Sequence, residues 1–328
     1  MLAITGAAGF IGSNFLAVLN ATSPGPVVAI DVVDTDIKQA NVAKRSSVTW
    51  VKPSDMQRYL DSNTADIDAV IHLGAETATT ATDRDAVFAV NVDLSKSLWT
   101  WCSNNQKPFI YASSASVYGD GTLGFDDNLS SPAMANLKPL NIYGESKLAF
   151  DHFVAVQVEG GNPTPPQWAG LRFFNVFGPN ERHKGTQGSV VSQMHPVVSR
   201  GDPYPLFRSH NPDFADGEQQ RDFIYVDDCI AVIRWLLDNR SVSGLFNVGS
   251  GNARTFLDLA RAVHQACDKA FQPTWRDTPQ TLREHYQYFT QADLTRLRTA
   301  GFTESFTSLE EGVTITIKDY LAQPDPFR

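Results

Sequence analysis

Leu2-Ala3-Ile4-Thr5-Gly6-Ala7-Ala8-Gly9-Phe10-Ile11-Gly12 runs from an apolar string into a glycine-punctuated turn, and a helical pattern follows from Ile11 to Asn20. Glycines at this spacing let the chain turn tightly and bring backbone N–H groups to a pyrophosphate at the positive end of a helix. The third glycine lets helix and strand pack closely. The context makes the motif informative: a strand precedes it, a helix follows, and Asp31 ends the next strand nineteen residues beyond Gly12. A carboxylate there binds the adenosine ribose hydroxyls of a dinucleotide. It also repels a 2′-phosphate, which favours NAD. Lys38 lies seven residues on, placed either to pair with such a phosphate or to sit in solvent as most lysines do, so NAD and NADP both stay open.

Outward from the turn, Val27 to Ile30, Ala69 to Leu73 and Phe109 to Ser113 are further apolar strings, the signature of strands covered on both faces. Stretches such as Asp83 to Asn105 are long enough for crossover helices, and a run from Gly170 to Val176 follows a helical stretch from Tyr143 to about Val158. The alternation predicts an α/β, Rossmann-type doubly wound parallel sheet with a smaller C-terminal α/β substrate-binding lobe. Beyond Gly178, Pro179, Pro196, Pro203, Pro205 and Pro212 break long elements. Regularity returns at Phe223 to Val226, leading into a helix to Asn239, and at Leu245 to Val248, before a helix from Thr255 to about Lys269. The expected division is residues 1–175 plus returning segments near 223–250 for the dinucleotide, and mainly 176–328 for the substrate.

Composition narrows the function classes. The 328 residues are 42% hydrophobic, enough for a sizeable core, and the formal charge of −9 gives no basic field for nucleic acid or an anionic membrane. Cys102, Cys229 and Cys267 are an odd set without CxxC spacing, so neither a disulfide framework nor a zinc site is expected. No charged residue precedes Asp31, which argues against a signal peptide, and glycine and asparagine interrupt the opening apolar run. A cytoplasmic protein in a reducing compartment is expected.

Tyr143-Gly144-Glu145-Ser146-Lys147 puts a phenol and an ammonium four residues apart, on one face of a helix. The lysine charge, helped by a positive nicotinamide, is expected to bring the tyrosine down from its ordinary pKa near 10 into the range of a general base. Ser114, at the end of a strand, is placed to hydrogen-bond the reacting oxygen. Alone, such a pair is as readily a surface contact; in sequence with Gly6, Gly9, Gly12, Asp31 and Ser114 it reads as chemistry.

In these motifs the chain resembles the extended short-chain dehydrogenase/reductases. The glycine turn, Ser113-Ser114-Ala115-Ser116-Val117-Tyr118-Gly119, the Tyr-x-x-x-Lys pair and Asp222 to Asp228 all match. The family implies a nucleotide-sugar substrate bound in the smaller lobe. Its dehydratases carry Thr-Asp-Glu where this chain has Ser114-Ala115-Ser116, which leaves epimerisation, with net oxidation or reduction as the alternative. A dinucleotide sensor without catalysis would not need the Tyr-Lys pair.

Arg172 to Gly185, with its His183-Lys184-Gly185 element, and Tyr286 to Leu294 resemble the ADP-glyceromanno-heptose 6-epimerase branch of the family. Inverting a carbinol by oxidation and reduction needs hydride returned to the opposite face, so a base suited to one epimer is misplaced for the other. The resemblance implies Tyr143 for one epimer and Lys184 for the other, with Lys147 tuning the tyrosine. Read without it, Lys184 is a phosphate-binding or plain loop lysine. Cofactor contacts implied are Gly6, Gly9, Phe10, Ile11, Gly12, Asp31, Val32, Lys38, Leu73, Gly74, Ala75, Glu76, Thr77, Asn91, Tyr143, Lys147, Val176 and Lys184, around one tightly held NADP or NAD per subunit. Substrate contacts implied are Ser114, Asn175, Thr186, Gln193, Phe207, Arg208, Ser209, His210, Arg221 and Tyr286, in a homo-oligomer, by resemblance a pentamer. Arg221 suits the pyrophosphate, or else pairs with Asp222 or Asp227.

Four departures from that branch bear on the pocket. Val32 stands in place of asparagine, Gln193 in place of histidine, Asn211 to Gln220 is longer, and Phe207 to His210 lacks a Glu-Gly pair. His72 reads as a core histidine, and Leu94, Leu98, Trp99 and Trp101 as core or subunit contact.

Overall fold

The computed structural model describes every residue except 23–24, 128–129 and 284–285. Its strands are β1 (Leu2–Thr5), β2 (Val27–Ile30), β3 (Val48–Val51), β4 (Ala69–His72), β5 (Phe109–Ser114), β6 (Trp168–Phe173), β7 (Asn175–Phe177), β8 (Pro205–Phe207), β9 (Gln220–Tyr225), β10 (Gly244–Val248), β11 (Ala253–Thr255) and β12 (Thr274–Arg276). Seven of them form one parallel sheet in the order β10-β6-β5-β4-β1-β2-β3. This is the doubly wound arrangement read from the sequence.

Chain direction across the sheet reverses at β1, where β2 and β3 lie to one side and β4, β5 and β6 to the other. In such sheets the crevice beyond the carboxyl ends at the reversal is where ligands bind. The glycine turn leaves β1 at that point. Side chains alternate along the strands: Ile4, Ile71 and Ile110 join the helices Phe10–Ala21 and Val226–Asp238 on one face, whereas Ala3, Val70 and Phe109 join Leu94–Asn104 and Ile142–Glu159 on the other.

Several elements differ from the sequence reading. β3 was not expected. It is an edge strand with two exposed residues, so it lacks the continuous apolar string that marks the others. The Gly170 to Val176 run breaks at Phe174, and its second part joins β9 and β11 in a separate three-stranded sheet. Of the strands in the returning segments near 223–250, β10 joins the main sheet and β9 the three-stranded one. The Asp83 to Asn105 helix is Arg84–Phe88 and Leu94–Asn104 with a π-helical stretch, Ala89–Asp93, between them.

His72 is the core histidine anticipated. Its Nδ1 lies 2.7 Å from Thr5 Oγ1 and its Nε2 2.9 Å from Ser95 Oγ, and burial pushes its pKa down to about 3. Trp99 and Leu98 are also core, with Trp99 packing on the rings of Phe109, Phe153 and Trp168. All three cysteines are free. Among the described residues no cluster suits a metal ion, and no helix is long and apolar enough to cross a membrane.

Candidate active site

At the switch point a cavity of about 1000 Å³ opens between the glycine turn, the ends of β2, β4 and β5, the start of Ile142–Glu159, and the chain after β7. Two glycines are required here by close approach. Gly6 has φ +66°, and a Cβ on it would lie 2.5 Å from Gly74 N; a Cβ on Gly12 would lie 2.1 Å from Gly6 O. Phe10–Ala21 starts with no side-chain cap and no acidic residue in its first turn, so its positive end is open to an anion. That, with the glycine cradle, fits a dinucleotide pyrophosphate.

Asp31 sits just past β2. Ala8 N donates to its Oδ2 at 2.8 Å, and Val32 N to its Oδ1 at 2.7 Å. Lys38 Nζ reaches the same Oδ1 at 3.2 Å and Val32 O at 3.1 Å. Lys38 is therefore neither a solvated loop lysine nor an unpaired partner for a 2′-phosphate; its charge already faces a carboxylate. Both residues line the cavity, as does the exposed Val32.

The opposite end of the cavity holds the Tyr-Lys pair. Asn141 caps Ile142–Glu159 by accepting from Gly144 N, which fixes the turn that carries Tyr143. Lys147 is 5% exposed; its Nζ donates to Ala112 O at 2.9 Å and lies 5.9 Å from the Tyr143 ring. Burial lowers its pKa to about 8, against an opposing pull from Asp151. The expected lowering of Tyr143 takes the lysine and the nicotinamide together; in the protein by itself other influences prevail. Burial dominates and raises the phenol, and a hydrogen bond with Ser114 offsets this only in part. Ser114 Oγ also accepts from Ser116 N at 3.2 Å.

Sequence reasoning missed what stands behind the pair. Asp151, one turn beyond Lys147, and Arg172 form an ion pair at 2.9 Å with both side chains 0% exposed. Ser113 Oγ and Tyr111 OH donate to the Asp151 carboxylate at 2.9 and 3.1 Å, and Arg172 Nη1 donates to Tyr118 OH at 2.9 Å. This fastens the helix to β5 beside Ser114. The i, i+4 spacing of Lys147 and Asp151 was the available signal; the partner on β6 had none.

Lys184 lies in a 3₁₀ turn, Arg182–Gln187, with its Nζ 5.3 Å from the Phe10 ring centroid. It therefore lines the same cavity beside the glycine turn. The structure brings together Gly6, Gly9, Phe10, Ile11, Gly12, Asp31, Val32, Lys38, Leu73, Gly74, Ala75, Glu76, Thr77, Ser114, Tyr143, Lys147, Asn175, Val176 and Lys184.

It does not bring the remaining expected residues to that lining. Asn91 is buried, and its amide bonds Glu76 N and O and Ser146 Oγ, shaping the loop after β4 that lines the cavity. Gln193 donates to Thr186 O at 3.3 Å and Gly188 O at 2.8 Å, holding the Lys184 loop from outside.

Phe207, His210, Arg221 and Tyr286 gather in a second cluster. The Phe207 and His210 rings lie 6.3 and 6.1 Å from Tyr286, and the Arg221 guanidinium sits 5.3 Å from Tyr286 and 5.7 Å from Phe256. Phe256 lines the main cavity too, so the cluster adjoins it. Arg221 pairs with neither Asp222 nor Asp227. Asp222 accepts from Ser250, Gly251 and Ala292, and Asp227 is taken by Arg328. The longer Asn211 to Gln220 segment braces the stretch before it, because Asp216 accepts from Arg208 Nη1 and Ser209 N, both at 2.8 Å.

The NAD dependent epimerase/dehydratase family matches residues 2–249. The chain is 44% identical to an ADP-L-glycero-D-manno-heptose-6-epimerase of Nitratidesulfovibrio vulgaris and 39% identical to one of Fusobacterium nucleatum, each over 100% of both chains. Among solved structures, the ADP-L-glycero-D-manno-heptose-6-epimerase of Helicobacter pylori superposes with a TM-score of 0.79 at 26% identity, covering 97% of this chain and 95% of the other. The UDP-glucose 4-epimerase of Thermus thermophilus, in complex with NAD, gives 0.75 at 25%, covering 97% of each.

Proposed function

The chain belongs to the NAD dependent epimerase/dehydratase family, and on that premise we propose that it interconverts ADP-D-glycero-D-manno-heptose and ADP-L-glycero-D-manno-heptose by inverting C6. What supports this is that Tyr143, Ser114 and Lys147, at the start of the Ile142–Glu159 helix and the end of β5, and Lys184, on the Arg182–Gln187 turn beside Phe10, line one cavity. A plain dehydrogenase needs only one proton-handling group.

NAD, when bound, would supply the hydride-accepting and hydride-donating chemistry that the inversion needs. The chain's own residues do the rest. Gly6, Gly9 and Gly12 admit the pyrophosphate, and Asp31 holds the adenosine ribose through its carboxylate. For one epimer Tyr143 takes the hydroxyl proton while Ser114 donates to the reacting oxygen. Burial raises the phenol, and the protonated Lys147 amine, 5.9 Å from its ring, favours the phenolate electrostatically. For the other epimer Lys184 takes and returns the proton from the glycine-turn side. Arg221, stacked between aromatic rings, is the natural partner for the substrate pyrophosphate because its planar fork matches phosphate oxygens. Asp31 and the engaged Lys38 support NAD over NADP. A homo-oligomer, pentameric by resemblance, and a cytoplasmic site of action go with this reading.

Incubation with ADP-D-glycero-D-manno-heptose deuterated at C6 tests it. NMR is expected to show the inverted epimer with deuterium still at C6 and no net change in cofactor redox state. Loss of the label to solvent, or reduced cofactor accumulating with product, overturns the mechanism. Conversion of a UDP- or GDP-sugar in place of this one keeps the mechanism and replaces the substrate.

A further inference from the structure

Lys184 sits on a loop, and a proton-transfer group displaced by about 1 Å loses about a hundredfold in rate, so something must hold that loop. The loop closes on itself through Glu181, whose buried carboxylate accepts from Gly178 N at 3.1 Å and from Ser189 N and Oγ, both at 2.7 Å. That fixes its shape. Its position against the glycine turn comes from different residues.

Asn180 is 2% exposed and left-handed, φ +68°. Its Nδ2 donates to Ser13 Oγ at 3.0 Å, on the helix that leaves the glycine turn. Its Oδ1 accepts from Arg328 N at 3.0 Å, and its carbonyl from Asn41 Nδ2 at 3.3 Å. Asn14, on the same helix as Ser13, donates to Pro179 O at 2.9 Å and accepts from Arg328 Nη1 at 3.4 Å. Arg328 also pairs with Asp227, and Arg45 Nη2 and Lys44 Nζ hold the carbonyls of Arg328 and Phe327. Phe327 lies 5.8 Å from the Arg182 guanidinium, two residues before Lys184.

We propose that Asn180 and Arg328 are positioning residues for Lys184: together they clamp the 179–183 segment to the glycine-turn helix and set the amine over Phe10, on the cofactor wall. The clamp explains why a distant tail segment folds back across the cofactor domain, and why a buried, left-handed asparagine precedes the His-Lys-Gly element. It rests on the proposed role of Lys184 as one of two bases.

The test uses the NAD-loaded enzyme and each epimer separately, following reduction of the bound nicotinamide in a single turnover. Asn180→Gly removes both side-chain bonds while tolerating the positive φ, and Arg328→Ala removes the bridge to Asn14 and Asp227. Both are expected to slow the half-reaction that Lys184→Ala blocks by about tenfold or more. The half-reaction that Tyr143→Phe blocks should stay within about twofold, with bound NAD unchanged and Arg328→Lys restoring part of the loss. Equal slowing of both half-reactions, or of neither, overturns the proposal. Should Asn180→Gly not fold, Arg328→Ala carries the comparison. If Lys184→Ala itself slows neither half-reaction, the reading of Lys184 as a base fails, and the clamp is then judged by acylation of Lys184 with an amine reagent, followed by mass spectrometry. Faster labelling of Lys184 but not Lys147 in the variants supports the clamp, and unchanged labelling refutes it.

Discussion

The two walls of the cavity are built in opposite ways. The Tyr143 wall is regular structure: a capped helix laid along β5, joined through Lys147 to Ala112 O and through Asp151 to Ser113, Tyr111 and Arg172. The Lys184 wall is a loop, held from places far apart in the chain by the side chains of Ser13, Asn14 and Asn41 and by the backbone N–H of Arg328. One proposed acid/base group is thus fixed by the fold itself and the other by a clasp laid over it. The first wall is therefore expected to resist perturbation until its buried charges are touched, whereas the second should be alterable without unfolding the sheet.

The harshest way to break the comparison is Asp151→Ala, which strands the Arg172 guanidinium in a fully buried site. Removing one partner of such a pair costs about 3–5 kcal/mol, to be read as a lower midpoint in urea unfolding, while Asn180→Gly is expected to cost far less. A urea midpoint unchanged by Asp151→Ala would show that the wall does not depend on the pair. Next comes Tyr143→Phe, which keeps the ring and removes the proton carrier. Steady-state kcat should fall about a thousandfold with the melting temperature little changed.

pH sharpens the contrast. Lys147, lowered to about 8 by burial, helps Tyr143 only while protonated, so turnover should decline as pH rises past about 8. Lys147→Arg, which keeps its charge, should move that alkaline limb upward in a kcat/KM profile. The same depressed pKa destabilises the fold while the lysine is protonated. The penalty is full below about 8 and fades toward the unfolded-state value near 10.5, because in that window the unfolded chain holds a proton that the folded one does not. The smallest effect is at the far end of the cavity. Asp31→Asn should weaken NAD about tenfold and narrow its margin over NADP, measured by titration of both cofactors.

How legible each part was follows from the range of its signal. β1, the glycine turn, Asp31 and the Tyr143-Lys147 pair are local patterns: an apolar string, a spacing of glycines, one helical turn. Ser114 came from its place at the end of a strand and Lys184 from motif resemblance, and both line the cavity. β3 escaped because an edge strand with exposed residues loses the apolar run. The π-helical stretch that sets Asn91 has no distinct spacing. Arg172 was read only as part of a motif, because a partner on another element leaves no periodic mark. Asn180 and Arg328 were invisible for the same reason: their bonds join residues more than a hundred positions apart, and only the folded chain brings them together.

The most direct test of two walls with two proton carriers is a cross of two variants against two substrates. Tyr143→Phe and Lys184→Ala, each loaded with NAD, are mixed in single turnover with each C6 epimer while nicotinamide reduction is followed. Each variant is expected to stall with a different epimer and still reduce its cofactor with the other. Both variants stalling with the same epimer, or Lys184→Ala reducing NAD normally with both, would contradict it.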